Sequence, residues 1–594
     1  VLLGVDTLRE FRVLTNGYSA AYGRSGGGVI SAVTKSGTND LHGVVFEFVR
    51  NSAFDARNFF DAASAPIPAF RRNQFGATLD GPVRRDKTFF LGSFEGLRQR
   101  LGVTSRSIVP DAAARTGRFP NGTQVNVNPA VPAYLNLIPL PNERSFGDGT
   151  GEYVAAASQA TGQNFLTARI DHRFSDKTQV FGRYTRDRAS VRIPDALRFV
   201  RAENESHNQF LSTELTRLFS ERTLNATRFS YNRSYSANAN SYLRDVDPGL
   251  SFFPGKPFGQ ISVTGLFSLG PSRFGPSYST MNLFQFSNDL SHTVGRHSIK
   301  VGFDHRFYRL PTSRPQSPFG FYQFNGLVPF LTATPASVEL TLPDSILDRN
   351  WRQSMTAAYV EDTFQVHRRL TLNLGVRYER MSVPTERDNL SSNVRNVLTD
   401  ASATVGPMFT NPSNRNFAPR VGIAWDPFGT GKTSIRAGFG IFYDPIWTDF
   451  YANAGNRQSP FYVLGSIRNP VFPNATALIG NPGFVLGRQD ILVYQPDNPY
   501  SMQYNFSLER QLAQTTALTV SYSGQRGVHL VRFLDQNQAL GQILPDGRKF
   551  FPANSVTWNP NFTGIRYKTT DGQSVYHAMR TSPEHRFRGG LQFQ

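Results

Sequence analysis

The sequence predicts an all-β fold: a large antiparallel β-barrel whose strands cross a membrane. Three observations predict it. Between Asn164 and Gly524 the chain repeats pairs of apolar-alternating segments of about ten residues joined by a short turn, as spanning strands do. Between the pairs run polar stretches of roughly 40–60 residues, far beyond the roughly 12–15 at which structureless loops become uncommon in compact soluble domains. No stretch approaches the ~18 consecutive apolar residues of a transmembrane helix, and mean hydropathy is −0.36, so a membrane-crossing chain of this composition must cross with strands.

Taken in chain order, Leu8–Asn39 departs from the hairpin pattern. Short extended runs, Phe11–Thr15 and Val29–Thr34, flank a Gly-rich turn from Gly23 to Gly28. Consecutive glycines permit positive φ and close backbone approach, which suits a small domain wedged against a wall. The hairpins follow. Asn164–Phe174 pairs with Thr178–Arg188 across SDK, and Gln209–Phe219 with Thr223–Arg233 across SER, the latter ragged because Phe229 and Tyr231 share a face with Asn225 and Thr227. Phe284–Thr293 pairs with Ser298–Arg309 across VGRH, where Ile299, Val301, Phe303 and Phe307 oppose Lys300, Gly302, Asp304 and Arg306. In the hairpin from Tyr359 to Arg380, Leu372, Leu374, Val376 and Tyr378 alternate with Thr371, Asn373, Gly375, Arg377 and Glu379, so one face meets lipid and the other water. Ala418–Trp425 pairs with Thr433–Tyr443, and Met502–Leu512 with Thr516–Gly524. The long connections are Leu101–Gly162, Ser234–Asn282, Leu310–Gln353 and Asp444–Pro499, expected outside the cell with the short turns on the periplasmic side.

Composition agrees. A chain of 594 residues fits one large barrel plus a remnant better than a row of small globules. Aromatics make up 13%, with 50 Phe and 22 Tyr against 4 Trp, which suits interfacial girdles. The absence of Cys excludes disulfides and thiolate chemistry. The formal charge of +19 would attract nucleic acid, anionic ligands or phosphorylated lipid headgroups. Because Lys and Arg are spread singly, without a run or a helical stripe, nucleic acid is not an expected partner.

Catalytic and metal motifs give way to plainer readings. GTGKTS, Gly429 to Ser434, resembles part of a phosphate loop, but Asp426 stands where the first Gly is needed and a strand follows instead of a helix, so it reads as a turn. His292 and His297 flank a turn without an HExxH spacing, and Asp245 with Asp247 lie in a Pro-Gly turn, so no metal site is expected. Neither catalytic residues nor a cofactor are assigned, and the chain is read as a non-enzyme. On the polar phase stand Arg169, Arg173, Arg183, Lys300, Arg306, Arg377 and Arg436. They would either receive an anionic ligand or pair with carboxylates such as Asp171 and Glu379; the second is the ordinary reading, and no ligand site is named.

The segment YGRSGGGVISAVTKSGTN resembles the end of the plug domain of TonB-dependent outer-membrane receptors, with Tyr22, Gly23, Gly27, Gly28, Thr34 and Lys35 as its motif. LHGVVFEFVRNSAFDARNFF and RRNQFGATLDGPVRRDKTFFLGSFEGLRQR resemble the opening barrel strands of the Oar-like branch. YVEDTFQVHRRLTLNLGVRYE, NFAPRVGIAWDPFGTGKTSIRAGFGIFYD and NPYSMQYNFSLERQL resemble later ones. The resemblance implies a barrel of about 22 strands occluded by an N-terminal plug. It implies residence in the Gram-negative outer membrane, among its lipid and lipopolysaccharide. It also implies import of a scarce extracellular ligand (siderophore, glycan or peptide) when TonB and its inner-membrane energy-coupling complex act on the plug. Residues 1–39 would then be the C-terminal part of the plug and residues 40–594 a barrel truncated at its C-terminus. The sequence starts at Val1 without a leader and ends in RGGLQFQ as if within a strand, so it is expected to be an internal piece lacking signal, regulatory-like domain, TonB box and closing strands. The alternative function is an adhesion or structural display protein built on the same barrel.

Overall fold

The computed structural model describes every residue except 1–3, 5, 15–18, 25, 57–66, 447, 476–478, 481–484, 553–554, 587–591 and 594. Thr15 and Ser25, the run Arg57–Phe60 and most of the terminal RGGLQFQ therefore lie outside the described residues.

A short hairpin comes first: β1 (Leu8–Leu14) pairs antiparallel with β2 (Val29–Thr34). A wall of long strands then follows: β3 (His42–Asn51), β4 (Phe70–Arg84), β5 (Thr88–Pro110), β6 (Thr150–Ser175), β7 (Thr178–Pro194), β8 (Val200–Ser220), β9 (Thr223–Tyr242) and β10 (Ser277–Val294). It continues with β11 (His297–Ser313), β12 (Asp348–His367), β13 (Leu370–Met381), β14 (Phe417–Trp425), β15 (Thr433–Tyr443), β16 (Tyr500–Ala513), β17 (Thr516–Asp535) and β18 (Ile565–Arg586). Each pairs antiparallel with the next in the chain. Among the described residues β3 pairs only with β4, and β18 pairs with β17 and not with β3, so across them the wall is an open barrel and not a closed ring.

All six hairpins expected from alternation are present, with turns where the sequence places them. On β6, Leu166, Ile170 and Phe174 face outward and exposed while Thr167, Arg169 and Asp171 face inward. On β13, Leu374 and Val376 face outward while Arg377 and Glu379 are buried. The outward band is the apolar surface a bilayer covers, and the inward phase is polar. No helix of the described residues is long and apolar enough to cross a membrane.

Three of the four long connections need correction. Strands continue well past the apolar band, reaching 23 residues in β5 and 26 in β6, so these connections shrink to 111–149, 243–276 and 314–347, while Asp444–Pro499 stands as expected; further connections run over 382–416 and 536–564, and only 195–199 lies between β7 and β8. Ladder hydrogen bonds do not depend on side-chain type, so small polar runs such as SYSANANSY stay paired after the alternation has ended. The connections are not structureless either. Phe267–Leu269, Gln260–Val263, Phe321–Phe324, Ser337–Thr341, Leu464–Arg468 and Val485–Leu486 form a second sheet over the mouth of the wall. Beneath it Tyr134, Phe252, Phe258, Tyr322, Phe324 and Phe330 are buried together as the largest apolar core of the molecule. This sheet caps the end that carries the long connections.

Candidate functional site

The inner face of the wall holds the segment from Ser19 to Lys35, and it does so mainly through that segment's backbone. Arg377, on the inward phase of β13, pairs with Glu379 at 2.5 Å, and its other nitrogen donates to the carbonyls of Ala20 and Ala21, each at 3.3 Å. Both charged side chains are almost fully buried, at 1% and 2% exposure, which is tolerable because each satisfies the other. The Ala20 amide donates to the Glu361 carboxylate at 2.6 Å. Arg420 of β14 donates to the carbonyls of Ser19 and Tyr22. Gln503 of β16 and Gln525 of β17, opposite each other in register, both donate to the Gly26 carbonyl, at 2.6 and 3.0 Å. Arg24 donates to the Tyr308 hydroxyl at 2.5 Å. Just above, burial raises the pKa of the Asp444 carboxyl, with the nearby Arg24 charge opposing.

Of the expected motif residues, Tyr22 contributes its carbonyl to Arg420, while its ring stays partly exposed. Gly23 lies so close to the Arg377–Glu379 pair that a Cβ there would overlap both side chains. Gly27 has open space around it, and Gly28 has φ of 144°, a region that favours glycine. Thr34 is buried and its hydroxyl accepts from Arg169 at 2.8 Å and Arg183 at 3.4 Å. Lys35 pairs with Asp6 at 2.6 Å and closes the open end of the β1–β2 hairpin, its amide donating to the Thr7 carbonyl.

Four of the seven inward basic residues, Arg169, Arg306, Arg377 and Arg436, follow the ordinary reading and stand against carboxylates. Arg169 is held by Asp171 at 2.7 Å and Arg306 by Asp304 at 2.8 Å. The Lys300 ammonium sits over the Tyr359 ring. Arg173 and Arg436 keep the inward phase but stand exposed near the short-turn end, Arg436 at 3.7 Å from Glu509. Sequence reasoning missed Glu361, Arg420, Gln503 and Gln525; their inward phase was the available signal. The other motifs resolve as turns: Asp426 accepts from the Gly429 and Gly431 amides, both at 2.9 Å, and Asp247 from the Gly249 amide at 2.8 Å. His292 bonds Thr223 and His297 bonds Asp362, so the two rings serve separate strand contacts.

Above the docked segment a cavity of about 660 Å³ opens between wall and cap, lined by Asn204, Asn238 and Tyr278 from the wall and by Arg314, Arg457 and Arg566. Asp490 lies 3.2 Å from Arg566 and 3.8 Å from Arg457, one carboxylate against two guanidinium groups. Burial lowers the pKa of Arg457, with Tyr462 and Asp490 opposing. Three guanidinium groups, set against Glu205 in the lining and Asp490 beside it, leave the chamber cationic on balance.

Comparison with known proteins agrees with this geometry. The chain is 22% identical over 533 residues to the TonB-dependent transporter Oar of Myxococcus xanthus, covering 80% of this chain and 47% of that one. It thus spans about half the length of the curated relative it matches. Among solved structures it superposes on the outer membrane transporter YddB from Escherichia coli with a TM-score of 0.60 at 13% identity, covering 99% of this chain and 62% of the other. A variant of the ferric enterobactin receptor PfeA from Pseudomonas aeruginosa gives 0.53 at 10% identity, covering 99% and 66%. The siderophore receptor PirA from Acinetobacter baumannii gives 0.51 at 11% identity, covering 98% and 65%. At such identities these structures share the fold. The family model described as "Outer membrane beta barrel domain" matches residues 33–594, which includes every strand of the wall. With outward apolar strands, short turns at one end and capped connections at the other, the chain belongs to the outer membrane beta-barrel family and is an integral protein of the outer membrane.

Proposed function

We propose that the chain is part of a TonB-dependent receptor that imports a scarce ligand, with residues 1–39 the end of the plug and residues 40–594 the barrel. The observation that carries this reading is the docking of Ser19–Lys35 inside the wall, where Arg377, Arg420, Gln503 and Gln525 hold backbone carbonyls. A passive pore has no use for a segment gripped this way across its interior. Of the motif residues, Tyr22, Gly23 and Thr34 meet the wall directly, and Lys35 closes the hairpin behind them. The Arg-bearing chamber under the cap is where a ligand (siderophore, glycan or peptide) is received, before TonB and its inner-membrane complex displace the plug.

Cells expressing the complete gene, supplied with labelled siderophores, oligosaccharides and peptides with and without functional TonB, test this. Accumulation of one ligand only when TonB works is the expected result. No accumulation of any of them, with the protein verified at the surface, overturns transport in favour of adhesion or structural display.

A further inference from the structure

One feature of the wall serves neither the docked segment nor the chamber. On the outward, lipid-facing phase of β4 to β7, arginines gather just above the apolar band. Arg71 pairs in register with Arg100, Asn73 with Arg98, Arg100 with Ala160, Ala160 with Arg192, and Asn164 with Arg188. All five arginines are exposed, and they share their phase with Leu79, Phe94, Leu166 and Tyr184, the exposed apolar residues of the same strands. Gly162, Ala160 and Ser190 form a low floor between them, giving two adjoining hollows of about 320 and 300 Å³. Among the described residues none of the five arginines has a carboxylate at ion-pair distance; Glu203 and Glu205 on β8 face Arg192 and Ser190 from the far side. Arg98 is braced by the Gln163 carbonyl and the Asn164 side chain, both at 2.7 Å.

Height along the wall follows from the turns. Phe174 stands next to the short turn 176–177, and from Phe174 to Leu166 the outward residues are mostly apolar, which for tilted strands spans about 20–25 Å, the height of an outer-membrane apolar band. Asn164, Gly162 and Ala160 come next, toward the capped end. The arginines therefore sit at the outer interface, beside the headgroups of the outer leaflet. A guanidinium offers two parallel donors to a phosphate, and several together outbid hydration where one does not.

We propose that Arg71, Arg98, Arg100, Arg188 and Arg192 form a binding site on the outside of the barrel for the phosphorylated headgroup of the outer-leaflet glycolipid, lipopolysaccharide. The inference rests on the outer-membrane placement of the wall but not on the transport reading. The floor of small residues lets a sugar-phosphate lie close to the strands, and the acidic side chains on β8 bound the site on one side.

The test uses the complete protein in detergent micelles doped with bis-phosphorylated lipid A, with lipid A stripped of phosphate, or with neither plus inorganic phosphate. Bound glycolipid is counted after washing, for the native protein, for Arg98→Gln/Arg188→Gln/Arg192→Gln, and for Arg84→Gln/Arg222→Gln/Arg368→Gln at the opposite end. Heat-modifiable gel migration and membrane fractionation report barrel integrity and location separately, so a failed barrel is not mistaken for a failed site. The expected result is retention of phosphorylated lipid by the native protein and the control variant, reduced about tenfold or more in the first variant, with free phosphate failing to displace it. Equal retention of the dephosphorylated lipid, equal retention by the first variant, or displacement by millimolar phosphate overturns the proposal.

Discussion

Gly23 shows how one missing side chain sets the position of a whole segment. Its Cα rests on the Arg377–Glu379 pair, whose buried charges have no room to retreat, so Gly23→Ala should undock Ser19–Lys35 while Gly27→Ala, with open space around it, should not. Limited proteolysis around residues 19–28 in the folded protein checks this: cleavage rises several-fold above native in the first variant only. The ion pair beneath makes a second, sharper prediction. Arg377→Ala strands Glu379 as a buried, unpaired carboxylate and should cost about 3–5 kcal/mol, whereas Arg377→Leu combined with Glu379→Leu should recover most of it in denaturant titrations of the barrel in vesicles. If the double variant is no better than Arg377→Ala, the pair is not the unit that matters. At this scale the sequence was partly legible. Two charges spaced two apart on an inward phase, Arg169 with Asp171 and Arg377 with Glu379, announce same-face pairs; Gln503 and Gln525 gripping one carbonyl depend on a strand register that no local pattern carries.

Among elements, the hairpins could be read because two signals coincide: period-two alternation against lipid and a turn of polar residues or glycine. The turn Asp426–Lys432 illustrates the second. Gly429 and Gly431 take positive φ, and their amides hold the Asp426 carboxyl below the usual carboxylate range, Gly431 most strongly. With the folded pKa below the unfolded one, the stabilisation is complete above the unfolded value and disappears as pH falls through the folded one. Protection of the Gly431 amide, measured as exchange relative to the intrinsic rate at each pH, should therefore fall in strongly acidic buffer, and Asp426→Asn should flatten that dependence between mildly and strongly acidic pH. Alternation and family resemblance left one wall strand and the whole cap unread. β18 contains Gly572 and Pro583 and alternates poorly, so it escaped notice although it pairs with β17 along most of its length. The cap was illegible for another reason: Ser337–Thr341 pairs with Leu464–Arg468 more than a hundred residues on, and no local signal specifies such a partner.

Across the whole molecule, wall and cap are two constructions with different cohesion. The wall rests on a continuous ladder, the cap on an aromatic core in which Phe252 touches Tyr134, Phe258, Tyr322 and Phe472. Phe252→Ala should cost the cap about 3–5 kcal/mol, speeding protease cleavage within 243–276 while heat-modifiable migration of the barrel stays native; a simultaneous loss of both would mean that they fold as one unit. The β1–β2 hairpin carries a last consequence, a mechanical one. Leu8 lies beside Thr34 at the hairpin's open end, and Thr34 is tethered to the wall by Arg169. Traction on the chain ahead of Leu8 would therefore open the ladder rung by rung, like a zipper, and not load all its hydrogen bonds at once in shear. The force needed at any moment is then that of a single rung, however large the total work, so a weak and sustained pull suffices where a sheared ladder would demand a strong one.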